Sequence, residues 1–98
     1  MNIITTKNDT MLTLALSGRL DTNTAPQLES AISENIAGVT ELILDFGELE
    51  YISSAGLRVL LSAQKAMSKK GQLTIANVSA EIMEIFELTG FSDILTIV

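Results

Sequence analysis

The sequence predicts a single α/β domain with a mixed, mostly parallel sheet of about five strands and amphipathic helices, in the order β-β-α-β-α-β-α-β. Three observations carry that expectation. Short apolar runs with strand periodicity alternate with stretches whose apolar residues recur every three or four positions, the pattern of strands joined by helical crossovers. The 98 residues suit one ordinary domain, and 47% are hydrophobic against 18% charged, enough apolar material for one core. The single proline, and the absence of any Gly- or Pro-rich tract, leave no linker that would divide residues 1–98.

The first elements read as a hairpin. Ile3 to Thr6 is expected to form an edge strand, joined by a turn at Asn8-Asp9 to a strand that begins at Met11. There Leu12, Leu14 and Leu16 share one face, while small or polar residues mostly fill the other. Gly18 to Thr24 reads as a loop. Thr24 with Gln27 three positions later, and Pro26 in the first turn, forms a helix start. That helix should reach Ile36, bury Leu28, Ala31 and Ile32, and be closed by a left-handed Gly38.

The run Glu41 to Phe46 is nearly continuous in apolar character and too short for a helix, as expected of a central strand covered on both faces. The chain is expected to turn at Gly47. A second helix should start near Ser54, carry Leu57, Leu60, Leu61 and Met67 on one stripe, and close at Lys69-Lys70-Gly71. Leu73 to Ala76 forms the next strand. Ser79 caps a third helix with Ile82, Ile85 and Phe86 inward, Gly90 ends it, and Ile94 to Val98 forms a last strand. Right-handed crossovers follow for the parallel strands.

Composition removes several functions. Without cysteine there is no disulfide, thiolate nucleophile or sulfur metal site, and without histidine the commonest general base is missing. No cofactor and no metal are expected. The formal net charge of -6 has the wrong sign for binding nucleic acid or an anionic lipid surface. No apolar run approaches the length of a membrane span, and the first residues lack the pattern of a secretory signal. The expectation is therefore a cytoplasmic protein, without membrane insertion, monomeric when free, with a protein or small-molecule partner.

The stretch from Asp45 to Leu61 is where chemistry could reside. A buried strand ends there, and Ser53 and Ser54 stand at the start of an amphipathic helix, just before Gly56. In a parallel sheet that junction lies at the carboxyl end of a strand, where α/β proteins place their sites. Free backbone amides and the positive end of the helix dipole would stabilise a phosphate on those serines. The same two serines could equally be helix caps, whereas a serine nucleophile lacks a visible base. Asp21 could meet a partner or bond nearby amides. Arg58 could meet a partner carboxylate or remain solvated, and Glu48 and Glu50 form no metal-ligand set.

Taken together, Asp45 and the run Tyr51-Ile52-Ser53-Ser54-Ala55-Gly56-Leu57-Arg58-Val59-Leu60 resemble the signature of the STAS family, in particular bacterial anti-sigma factor antagonists. Ser17-Gly18-Arg19-Leu20-Asp21 and Phe86-Glu87-Leu88-Thr89-Gly90-Phe91 are similar to two further family segments, in the same order. The resemblance implies a non-enzymatic regulator that binds an anti-sigma factor with serine kinase activity and so frees a sigma factor. It implies phosphorylation by that kinase at Ser54, with Ser53 as the alternative acceptor, and removal of the phosphate by a serine phosphatase. The implied partner surface comprises Asp21, Ser53, Ser54, Gly56, Leu57 and Arg58. Two positions depart from the commonest family pattern: Ser53 replaces an aspartate, and Ala55 replaces a hydroxyl residue. The alternative is a non-phosphorylated STAS subunit of a larger assembly, such as a lipid-transport or stress-signalling complex.

Overall fold

The computed structural model describes residues 1–98. Strands β1 (Asn2–Asn8) and β2 (Met11–Leu20) are followed by α1 (Ala25–Asn35), β3 (Glu41–Ile52), α2 (Ser54–Ser68), β4 (Gln72–Ala76), α3 (Ala80–Thr89), a short 3-10 turn at Phe91–Asp93, and β5 (Thr96–Ile97). The five strands lie side by side in chain order. β1 pairs antiparallel with β2 at one edge, and all other pairings are parallel. The predicted element order and mixed sheet are both present. The hairpin turn lies at Asp9-Thr10, one residue later than expected, because Asn8 already pairs with Met11 and Asp9 takes the left-handed conformation.

One face of the sheet holds the core. Leu12, Leu14, Leu16 and Leu20 of β2, Leu42, Leu44 and Phe46 of β3, and Leu73 and Ile75 of β4 are buried against Leu28 and Ile32 of α1, Leu57, Leu60 and Met67 of α2, and Ile82 and Phe86 of α3. No polar or charged residue is buried. The rings of Phe46 and Phe86 pack tilted with centroids 6.3 Å apart, tying α3 to the middle of β3. The other face, with Thr13 and Ala15, Ile43 and Asp45, and Thr74 and Ala76, is only half-buried. β3 is therefore central, as expected, but covered on one face rather than two. Adding each parallel strand beside the last in one direction, through crossovers of one hand, keeps every helix on the same side.

The first four strands are longer than the sequence predicts, whereas the last is shorter: β5 is only Thr96–Ile97 rather than Ile94 to Val98, because Ile94 closes the preceding 3-10 turn in the right-handed conformation. β2 continues through the expected loop to Leu20, and β3 runs past the expected turn at Gly47 to Ile52. Register shifts explain how: Ala15 faces Asp45 but Ser17 faces Glu48, and Gly18 faces Leu49 but Arg19 faces Tyr51. Each shift inserts one extra residue into β3, a bulge that restores the inward side of the strand. Phe46, Leu49 and Ile52, three residues apart, thus all point into the core.

At the opposite end of the sheet the chain is anchored by lysines. Lys7 Nζ donates to Ala37 O at 3.2 Å and Lys70 Nζ donates to Ile36 O at 2.8 Å, placing two cations on the carbonyl end of α1. Helix α1 ends at Asn35, its C-cap Ile36 is right-handed, and Gly38 takes its left-handed conformation two residues later. Gly71 lies against the backbone of Thr40, where Gln72 N donates to Thr40 O at 3.0 Å, and a Cβ there would collide with the Thr40 carbonyl. Gly71→Ala is expected to destabilise the fold by about 2 kcal/mol or more, since neither backbone can yield. Urea denaturation measures this, and an unchanged midpoint would contradict the packing.

Candidate functional site

The site forms where β2 and β3 end together. Ser53 N donates to Leu20 O at 2.9 Å, so the entrance to α2 is attached to the last residue of β2. Ser53 is extended, with φ -100 and ψ 176, and its Oγ accepts from Gly56 N at 3.4 Å. Leu57 N donates to Ser53 O at 3.0 Å. Ser53 is thus the cap of α2. Ser54 is the first helical residue, exposed, and relieved of the capping role that the sequence left open between the two serines.

Gly56 holds this turn against the sheet. A Cβ on it would lie 2.7 Å from Leu20 Cγ and 2.9 Å from Ile52 Cγ1, so only hydrogen fits between the helix and the strand ends. Leu57 and Gly56 are buried, whereas Arg58 is exposed. Of the predicted partner-surface residues, Gly56 and Leu57 therefore shape the site from beneath. Ser54 and Arg58 present side chains to solvent, and Ser53 is half-buried between these groups.

The adjoining loop from β2 to α1 is organised by Asp21. Its Oδ1 accepts from Asn23 N at 3.0 Å and Thr24 N at 3.1 Å, and Arg19 Nε lies 3.8 Å from Oδ2. Partial desolvation pushes the Asp21 carboxyl up, but the hydrogen bonds from Thr24 and Asn23 and the charge of Arg19 bring it below its ordinary value. Of its two readings from sequence, the local one is observed. Thr24 also acts differently from expectation: it forms no side-chain cap, its hydroxyl donates to Arg19 O at 2.7 Å and accepts from Asp21 N at 2.9 Å, and Gln27 reaches Met1 O instead. The pattern does mark a helix start, but the threonine closes the preceding loop instead of capping.

Two features had no signal in the sequence. The Arg19 guanidinium stacks 4.1 Å from the centre of the Tyr51 ring, a pairing made by the second bulge, which sets Tyr51 opposite Arg19. Asp45 Oδ1 accepts from Asn77 Nδ2 at 3.0 Å and Gly47 N at 2.9 Å, joining the middle of β3 to the end of β4. The Asn77 hydrogen bond, then that from Gly47, holds the Asp45 carboxyl below its usual range against a smaller desolvation effect. Between the first turns of α1 and α2 lies a cleft of about 260 Å³ lined by Thr22, Ala25, Pro26, Glu29, Arg58 and neighbours. No group of three or more acidic residues converges as a metal site, and no helix is long and apolar enough to cross a membrane.

The family model described as STAS domain matches residues 2–98. This chain belongs to the STAS family. It is 36% identical over 96 residues to BtrV of Bordetella bronchiseptica, provisionally named an anti-sigma factor antagonist, covering 96% of this chain and 83% of that one. It is 30% identical over 97 residues to the anti-sigma-B factor antagonist of Staphylococcus aureus, covering 97% and 90%. The Bacillus anti-sigma factor antagonist SpoIIAA shares its fold in both the unphosphorylated and phosphorylated forms. Their TM-scores are 0.78 and 0.77 at 20% and 21% identity, with 99% of this chain and 87% and 91% of those chains covered. STAS proteins of this kind are regulatory binding proteins rather than enzymes.

The STAS signature thus occupies one structural place, with strand end, cap, exposed serine and close-packed glycine in sequence. Gly56→Ala is expected to cost about 1–3 kcal/mol by forcing α2 off Leu20 and Ile52, read as a lower urea midpoint. The lowered carboxyls of Asp21 and Asp45 contribute stability that is complete above their ordinary value of 3.8 and lost as pH falls through their lower folded values. Asp45→Asn should therefore flatten the loss of stability between about pH 5 and pH 2, measured by urea midpoints; an identical slope in the two proteins would contradict this assignment.

Proposed function

We propose that this STAS domain is an anti-sigma factor antagonist whose binding is controlled by phosphorylation of Ser54. The observation that carries the reading is the division of labour between the serines: Ser53 caps the helix, and Ser54 stands exposed at its first position. The names of the Bordetella and Staphylococcus relatives support the antagonist role, and the phosphorylated form of SpoIIAA supports control by phosphate.

The partner is an anti-sigma factor with serine kinase activity, acting in the cytoplasm. Its ATP supplies the γ-phosphoryl group: a bond forms between Ser54 Oγ and phosphorus, the bond to the β-phosphate bridging oxygen breaks, and ADP leaves. The hydroxyl proton passes to a base of the kinase. A serine phosphatase reverses the modification by hydrolysis.

The phosphate adds about -1.5 to -2 charges to a chain whose formal charge is already -6. Within the domain, free amides and the dipole at the start of α2 accept an anion, so the fold persists. At the interface the added charge must lose its water, and any partner carboxylate opposite repels it. Binding is released without unfolding.

Ser54→Ala is expected to bind the kinase but take no phosphate, whereas Ser53→Ala takes phosphate and loses only a cap, about 1 kcal/mol of stability. Ser54→Asp should keep a wild-type circular dichroism spectrum and bind about tenfold more weakly in calorimetry. Full labelling of Ser54→Ala, or wild-type affinity of Ser54→Asp, would overturn the reading. So would pull-down of transport or stress-complex subunits with Ser54 unmodified.

A further inference from the structure

Arg58 is the one arginine without a partner in the chain. Arg19 is stacked on Tyr51 and lies beside Asp21, and these two make the only ion pair. Lys7 and Lys70 are occupied by carbonyls at the far end of α1. Lys65 and Lys69 belong to the end of α2, and Lys65 stands eleven residues beyond Ser54. At 1.5 Å of rise per residue that is roughly 16 Å along the helix, beyond the screening length of about 8–10 Å at ordinary salt.

Arg58, by contrast, follows Ser54 by four residues on α2, and both are exposed. Side chains at that spacing stand one above the other on a helix, with Cβ atoms about 5–6 Å apart. The reach of a guanidinium and of a phosphate closes that gap, and arginine suits paired hydrogen bonds to phosphate oxygens. The other charged groups nearby are Glu29 of α1, which shares the cleft with Arg58 but forms no ion pair with it, and Asp21 with Arg19 in the adjoining loop.

We propose that Arg58 is the internal counter-ion of phosphorylated Ser54, drawing the phosphate over the mouth of the cleft between α1 and α2. The inference rests on Ser54 being the acceptor and adds what happens after transfer. The modification thereby occupies the only free arginine at this end of the domain and places negative charge over the cleft, next to Glu29. A partner then meets an anion already paired at the cleft, with no cation left to receive its carboxylates.

The test uses the full chain with phosphoserine installed at position 54 by semisynthesis, so that it does not depend on any kinase. Phosphorus NMR titration reads the second ionisation of the phosphate, ordinarily near about 6. In wild type it should lie lower than in Arg58→Ala by roughly 0.3, with Arg58→Lys close to wild type, Arg19→Ala equal to wild type, and the difference shrinking in about 1 M salt. Circular dichroism of the unphosphorylated variants should match wild type, and so should unfolding of the Arg58 variants. Equal titration of wild type and Arg58→Ala, or an equal effect of Arg19→Ala, would overturn the proposal. If the phosphate pairs with Arg58 but kinase and ATP never label Ser54, the functional reading fails while the pairing stands.

Discussion

The first turn of α2 lies so close to the ends of β2 and β3 that no side chain fits between them, and the exposed groups of the site take their places from that contact. Gly56 meets Leu20 and Ile52 through hydrogen alone, and Ser53 N is bonded to Leu20 O. Ser53 then falls at the cap, Ser54 outward, and Leu57 inward. Moving the helix by the radius of one methyl group would alter all three. The close packing of the strand ends thus sets how Ser54 and Arg58 are presented to solvent.

That seat exists because β3 is irregular. A regular strand alternates sides every residue, and from Phe46 strict alternation would send Leu49 outward. Two inserted residues return Leu49 and Ile52 to the core, and the second also brings Tyr51 opposite Arg19. Bulges are a usual means of redirecting a side chain near a functional site. Here they let one long strand fill the core along its length and still deliver Ser53 at the correct height.

Charge is distributed along the same axis. The lysines engaged by the chain bind carbonyls at the end of α1 remote from the site, where the helix dipole favours cations. The two arginines lie toward the end of β2 and the start of α2, which carry the site, one engaged by Tyr51 and Asp21 and one free. In a chain of net charge -6 this leaves very few cations at the end of the domain that carries Ser54. An exposed ion pair contributes little to stability, so such residues are available for recognition at small cost to the fold.

The class of the fold, the order of the elements and the family were legible in the sequence. The reasons are local: strand and helix periodicities differ, capping serines and Gly90 mark helix ends, and the Ser53 to Leu60 signature is contiguous. Ser54 as the exposed serine could be suspected but not separated from Ser53, since either hydroxyl can cap and only the backbone angles choose. Tertiary structure decided what depends on neighbours distant in the chain. The turn expected at Gly47 became strand because β2 supplied a partner for it. The face of β3 expected to be covered stayed open because all crossovers lie on one side, and Asp21 and Thr24 were committed to their own loop. Arg19 and Tyr51, thirty-two positions apart, met only because two bulges set the register. Periodicity records which side of its own element a residue occupies; which groups meet depends on register, and register is a property of the assembled sheet.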